Sequence, residues 1–149
     1  MNTTPHALAV QHLGVSERVG PDTHPLIRWW LSLCDGMGDG QGDEVAWCSA
    51  FVNGMCWLLG PVVPRSSKAN ARSWLDVGEP IDLSDAVPGW DVVIFWRNDP
   101  TGWQGHVGFF DGLDAKGDVI VLGGNQGDRV SCAVYPASRL LGVRRLVAA

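Results

Sequence analysis

Positive charge is in short supply: 11 Lys and Arg stand against 16 Asp and Glu in 149 residues, a net charge of −5. A dedicated nucleic-acid binder would carry a basic face, so that class is set aside. The same balance offers no attraction to an anionic membrane or polymer. Long apolar runs are missing as well, and none approaches the ~20 residues needed to cross a bilayer. Met1 to Val10 holds neither a basic n-region nor a sustained apolar h-region, so no signal peptide is expected. The expected protein is made in the cytoplasm, keeps off membranes, and leaves by another route. Cys34, Cys48, Cys56 and Cys132 include no C-x-x-C pair. A zinc site is therefore not expected, and no cofactor or metal is assigned. Repeats, low-complexity tracts and interdomain linkers are absent too. The expectation is a single catalytic domain over 1–149, acting as a monomer, with no separate wall-binding domain and enough chain for a sizeable core.

What is present centres on Asp43-Glu-Val-Ala-Trp-Cys-Ser-Ala-Phe-Val-Asn53. Ahead of it, Asp35 to Asp43 is too rich in glycine for regular structure. After it, Phe51, Val52, Met55, Trp57, Leu58 and Leu59 can line a buried helical surface, which Gly60-Pro61 stops. Cys48 thus falls in a helix's first turn, where unpaired N–H groups and the helix dipole favour a thiolate. Cys34, Cys56 and Cys132 read as reduced core residues. Most of the eight tryptophans read as core. Trp103, between Thr-Gly and Gln-Gly, is the best candidate for an exposed aromatic face.

Helices are expected at Pro5 to Leu13, at Pro25 to Cys34, from Cys48, and from Lys68 to about Val77 with Ser66 or Ser67 as N-cap. After Pro88 the period becomes strand-like. Strands are expected at Asp91–Arg97, Gly105–Asp111, Asp118–Gly124, Arg129–Tyr135 and Gly142–Val147. The plan is α+β: N-terminal helices packed on an antiparallel sheet of about five strands.

Three positions in this plan can converge. Cys48 opens a helix, His106 begins the second strand, and Asn125 lies just past the end of the third. In an antiparallel pair the start of one strand is level with the end of the next, so His106 and Asn125 should be neighbours. A nucleophile needs a base, and the base needs a third group to hold its tautomer and orientation. His6, His12 and His24 are given no role. Asp111 and Asp128 compete with Asn125. Asp111 is five residues along the His106 strand, and so points to the opposite face.

Trp47-Cys-Ser-Ala-Phe51, then Pro88-Gly-Trp-Asp-Val-Val-Ile-Phe95, then Gly105-His-Val-Gly-Phe109 resembles the papain-like cell-wall hydrolases, the CHAP and NlpC-type cysteine amidases and peptidases. The resemblance runs from about Asp43 to the C-terminus. Val121-Leu-Gly-Gly-Asn-Gln-Gly-Asp128 and Arg139-Leu-Leu-Gly-Val-Arg-Arg145 resemble a compact branch common in phage genomes. The resemblance implies a papain-like fold, Cys48 as nucleophile, His106 as general base and acid, and Asn125 as orienting group. It implies a peptidoglycan substrate, cut at an amide through a thioacyl-enzyme, in a phage endolysin that acts on the wall after release. An antibacterial effector amidase and a non-catalytic wall-binding module are the alternatives. Many CHAP members place an acidic residue two positions before the Asn; this chain has Gly123 there. One oxyanion donor should be the Cys48 backbone N–H, with Gln41 as a possible side-chain donor. Some CHAP members bind Ca²⁺ near the nucleophile, and Asp35, Asp39, Asp43 and Glu44 offer oxygen ligands. Solvated loop acids are the ordinary reading of that cluster, whose spacing is not an EF-hand's.

Overall fold

The structure, a computed structural model, describes residues 3–18, 22–36 and 46–148. Among the described residues, two of the three α-helices open on proline, whose fixed φ and missing N–H suit the first helical position. In α1 (Pro5–Val10) the Thr4 hydroxyl accepts from Ala7 N–H at 3.1 Å. In α2 (Pro25–Ser32) His24 Nδ1 accepts from Leu26 N–H at 3.1 Å. Both stop short of the expected ends, α1 giving way at Gln11 to tight turns that run on to Gly14. The third, α3 (Cys48–Leu58), begins on Cys48 itself and is buried from Cys48 to Cys56. It crosses α2 so closely that a Cβ on Gly54 would stand 2.3 Å from Trp30 Cδ1.

The expected helix from Lys68 is instead a 3₁₀ helix at Ala71–Asp76, because α3 claims the preceding segment. Asn53 Oδ1 accepts from Ser67 N–H at 3.0 Å, and Ser67 takes a φ of +56° that no helix tolerates. Ser49 Oγ donates to the Lys68 carbonyl at 2.6 Å and accepts from Trp74 Nε1–H at 2.9 Å. Buried hydroxyl and carboxamide groups must be paired, and these backbone groups pair them.

The sheet is antiparallel with six strands rather than about five, in the order β1-β6-β2-β3-β4-β5. The strands are β1 (Glu79–Ile81), β2 (Asp91–Trp96), β3 (Gly105–Leu113), β4 (Val119–Gly123), β5 (Ser131–Tyr135) and β6 (Leu140–Arg145). The unexpected one is β1, a three-residue edge strand with Pro80 at its centre. Proline is confined to edges because it cannot donate to a ladder, and so short a run carries no alternation to read. One face of the sheet, with Val92, Ile94, Val107, Phe109 and Leu122, packs on the helices. The other, with Val93, Phe95, Phe110, Val121 and Val143, packs on Tyr135, Leu140 and the 81–86 segment. His6 Nε2 meets Asp111 Oδ1 at 2.7 Å and ties α1 to β3, so Asp111 is engaged well away from His106. Cys132 is exposed, not a core residue, because β5 is the other edge strand and its burial alternates. Among the described residues no helix is long and apolar enough to cross a membrane.

Candidate active site

Three elements meet at the first turn of α3. Trp47, its N-cap residue, is fully buried and donates from Nε1 to Glu17 at 2.8 Å. The end of β4 comes down on this turn because Gly124 has no side chain: a Cβ there would lie 2.7 Å from the Trp47 ring and 2.8 Å from Phe51 Cβ. β3 pairs with β4 as the sequence implies, Phe109 opposite Leu122, which brings His106 level with the turn after Gly123. The backbone of Val107, the residue after His106, lies close enough to Cys48 to favour its thiolate. Cys48 and His106 are both almost wholly buried.

The imidazole is held on two sides. Tyr135 stacks on it, ring centroids 4.6 Å apart and planes 12° from parallel. At its edge, His106 Nε2 meets Gln126 Oε1 at 2.8 Å. The Gln126 amide cannot turn over, because its Nε2 donates to the carbonyls of Val121 at 3.1 Å and Ser131 at 2.6 Å. The oxygen therefore faces the ring, and the ring nitrogen facing it must carry the proton. His106 is the Nε2–H tautomer, with Nδ1 left as the basic nitrogen.

The side chain that meets the ring is not the one expected from the sequence. Asn125 lines the same cavity, but the bond to His106 belongs to its neighbour Gln126. Asn125 takes a φ of +59°, and the turn it starts swings the next side chain back under the strand ends. Gln126 N–H bonds to Arg129 O and Ser131 Oγ to Gln126 O, which closes that turn. The room for Gln126 comes from Gly123, where a Cβ would lie 2.7 Å from Gln126 Oε1 and 3.4 Å from His106 Nε2. The signal was in the sequence: Gly123, where the resemblance to CHAP enzymes leads one to expect an acid, leaves space that another side chain must fill. Asp128 also lines this cavity, at a φ of +60°.

Burial sets the protonation states. It pushes the Cys48 thiol up, against hydrogen bonds from the backbone of Val107, Ser49 and Cys48 and the charge of Arg97, which favour the thiolate. It lowers His106 from 6.5 to about 4; the Gln126 bond opposes this and Arg97 adds to it. Tyr135 is pushed up to about 12, chiefly by burial, and stays a neutral phenol. The resting pair is therefore thiol and neutral imidazole. The helix-start effect read from the sequence is present but outweighed by desolvation.

A cavity of about 120 Å³ opens beside Cys48, lined by Asn70, Arg97, Trp103 and Gly105 among others. One of about 390 Å³ opens beside His106 and Gln126. Trp103 is 73% exposed at the edge of the first, as an aromatic platform requires. Gln41, Asp39, Asp43 and Glu44 lie outside the described residues. Among the described residues no group of three or more His, Cys, Asp or Glu is placed to hold a metal ion.

No protein-family model and no curated protein sequence matches the chain. Solved structures do. NlpC2 from Trichomonas vaginalis superposes with a TM-score of 0.59 at 22% identity, over 95% of this chain and 45% of that one. An NlpC/P60 family protein from Bacillus cereus superposes with a TM-score of 0.56 at 15% identity, over 97% of this chain and 40% of that one. The chain has the α+β, papain-like fold of NlpC/P60 proteins, and spans less than half the length of these two.

Proposed function

We propose that this protein is a peptidoglycan hydrolase, a cysteine amidase or endopeptidase with Cys48 as nucleophile and His106 as general base and acid. Gln126 takes the orienting role first given to Asn125. One observation carries the reading: the first residue of a buried helix is a cysteine whose thiolate the Val107 backbone favours, and the adjacent His106 has its Nε2 pinned by a fixed carboxamide. Nδ1 takes the thiol proton as sulfur attacks the amide carbonyl. The tetrahedral oxyanion is met by the Cys48 N–H, which has no partner within its helix. Collapse breaks the C–N bond, and the imidazolium gives its proton to the leaving amine. Water, deprotonated by His106, then cleaves the thioester to a carboxylic acid and restores the thiol.

The fold and the Trp-Cys and Gly-His-Val-Gly segments, which resemble those of cell-wall enzymes, support peptidoglycan as the substrate. The organism-level role is a phage endolysin, working as a monomer and reaching the wall after release from the cytoplasm. The test is digestion of purified sacculi with mass analysis of the fragments. Wild type should release fragments with new amino and carboxyl ends, and Cys48→Ala should release none while keeping its fold. Fragments from Cys48→Ala, or none from wild type, would overturn the reading.

A further inference from the structure

The chain is acidic overall, at −5, yet the cavity beside His106 is lined by Arg97 and Arg139 against one acid, Asp128. Arg97 lines the Cys48 cavity as well, so it stands where the two meet. Two other arginines are fully engaged. Arg72 gives its donors to the carbonyls of Asp99, Pro100 and Gln104, and Arg145 makes a two-point pair with Asp91. Among the described residues neither Arg97 nor Arg139 meets a carboxylate, since the ion pairs are His6–Asp111 and Arg145–Asp91. Arg139 is nevertheless held, its guanidinium 4.9 Å from the centroid of the Trp96 ring. A guanidinium stacked on an indole keeps its edge donors free.

We propose that Arg97 and Arg139 form a carboxylate-binding subsite that selects substrates with a free carboxyl group close to the scissile amide. The inference rests on Cys48 and His106 hydrolysing an amide, and adds which peptides they take. Guanidinium groups match a carboxylate in shape and charge. Converting the carboxyl to a carboxamide keeps the size but removes the charge. Amidation would thus mark a wall peptide as a poor substrate.

The probes are N-acetylmuramoyl tetrapeptides, Ala-γ-Glu-Lys-Ala, with the glutamyl α-carboxyl and the C-terminus each free or amidated. For wild type, amidating one of the two positions should lower kcat/KM by about 10- to 100-fold, mainly through KM, the scale of a charge-assisted hydrogen bond. In Arg97→Gln and Arg139→Gln the acid-to-amide ratio should fall toward one. The ratio is the readout because Arg97 also acts on Cys48 and His106 and will alter turnover of every peptide. Equal wild-type rates on acid and amide forms, or variants that slow both in proportion, would overturn the subsite. Equilibrium binding to Cys48→Ala, alone and combined with each Gln variant, separates the two readings. If wild type cleaves none of the peptides but Cys48→Ala prefers the free acids through these arginines, the hydrolase reading fails and the subsite stands. Binding without preference overturns the subsite.

Discussion

At the scale of single residues, the site turns on who holds His106. Gln126→Ala should lower kcat by about 10- to 1000-fold with KM little changed, because the ring loses its fixed tautomer while the binding cleft stays. Asn125→Ala should cost far less, since it makes no bond to the ring, and a larger loss for Asn125 than for Gln126 would restore the sequence assignment. Gly123→Ala should act like Gln126→Ala, because its Cβ would stand 2.7 Å from Gln126 Oε1. The pH profile gives a second check. With His106 neutral down to about 4, the acid limb of kcat/KM should lie near 4 and not near 6.5. Gln126→Glu should move that limb up, because a carboxylate favours the imidazolium, though it would also face the Val121 and Ser131 carbonyls without a donor. An acid limb at 6 to 7 in folded wild type would contradict the burial argument.

Elements carry the next set of consequences. The loop from Arg97 to Gly105 presents Trp103 to the Cys48 cavity, and it is shaped by Arg72 from the neighbouring 3₁₀ helix. Four bonds of 2.7–3.0 Å run from that guanidinium to the carbonyls of Asp99, Pro100 and Gln104. Arg72→Ala should speed amide hydrogen exchange over 98–104 and raise KM several-fold, and Trp103→Ala should raise KM without the exchange change. Equal exchange in Arg72→Ala and wild type would show that the loop holds itself. The α2–α3 crossing is a separate matter of packing. Gly54→Ala should destabilise the protein by about 1–3 kcal/mol in urea unfolding, because its Cβ would meet the fixed Trp30 ring at 2.3 Å. A neutral result would mean that α2 can shift as a body.

On the scale of the whole molecule, the buried histidine links pH to folding. Its folded pKa of about 4 lies below the ordinary 6.5. As pH falls below 6.5, the unfolded chain takes up a proton that the native state refuses. Stability from this group is therefore full above 6.5 and lost progressively down to about 4. At 1.36 kcal/mol per unit the loss is about 3 kcal/mol. The unfolding free energy from urea titrations should fall between pH 7.5 and 4.5, by about 2–3 kcal/mol more in wild type than in His106→Phe, whose ring can still stack on Tyr135. Equal slopes in the two proteins would remove His106 from the acid response. The cost of keeping an unprotonated imidazole dry is thus a stability term set by the same burial that sets its basicity.

The sequence by itself determined the ordering of helices before strands, the start of α3 on Cys48, and the pairing of β3 with β4. These follow from local rules: prolines and glycines punctuate, and apolar period separates helix from strand. The same rules placed Cys48 at a helix start and His106 at a strand start. They failed where long-range contacts override local preference. Ser67 leaves the helical region because Asn53, 14 residues back, binds its N–H. A strand of three residues exists only because β6 offers it an edge. The choice between Asn125 and Gln126 was decided in the same way. Adjacent residues in a tight turn point in different directions, and only the packed positions of Gly123, Val121 and Ser131 settle which side chain reaches the ring. Local propensity carries no term for desolvation, which is why the helix-start lowering of the Cys48 pKa was legible in the sequence and the stronger upward push of burial was not.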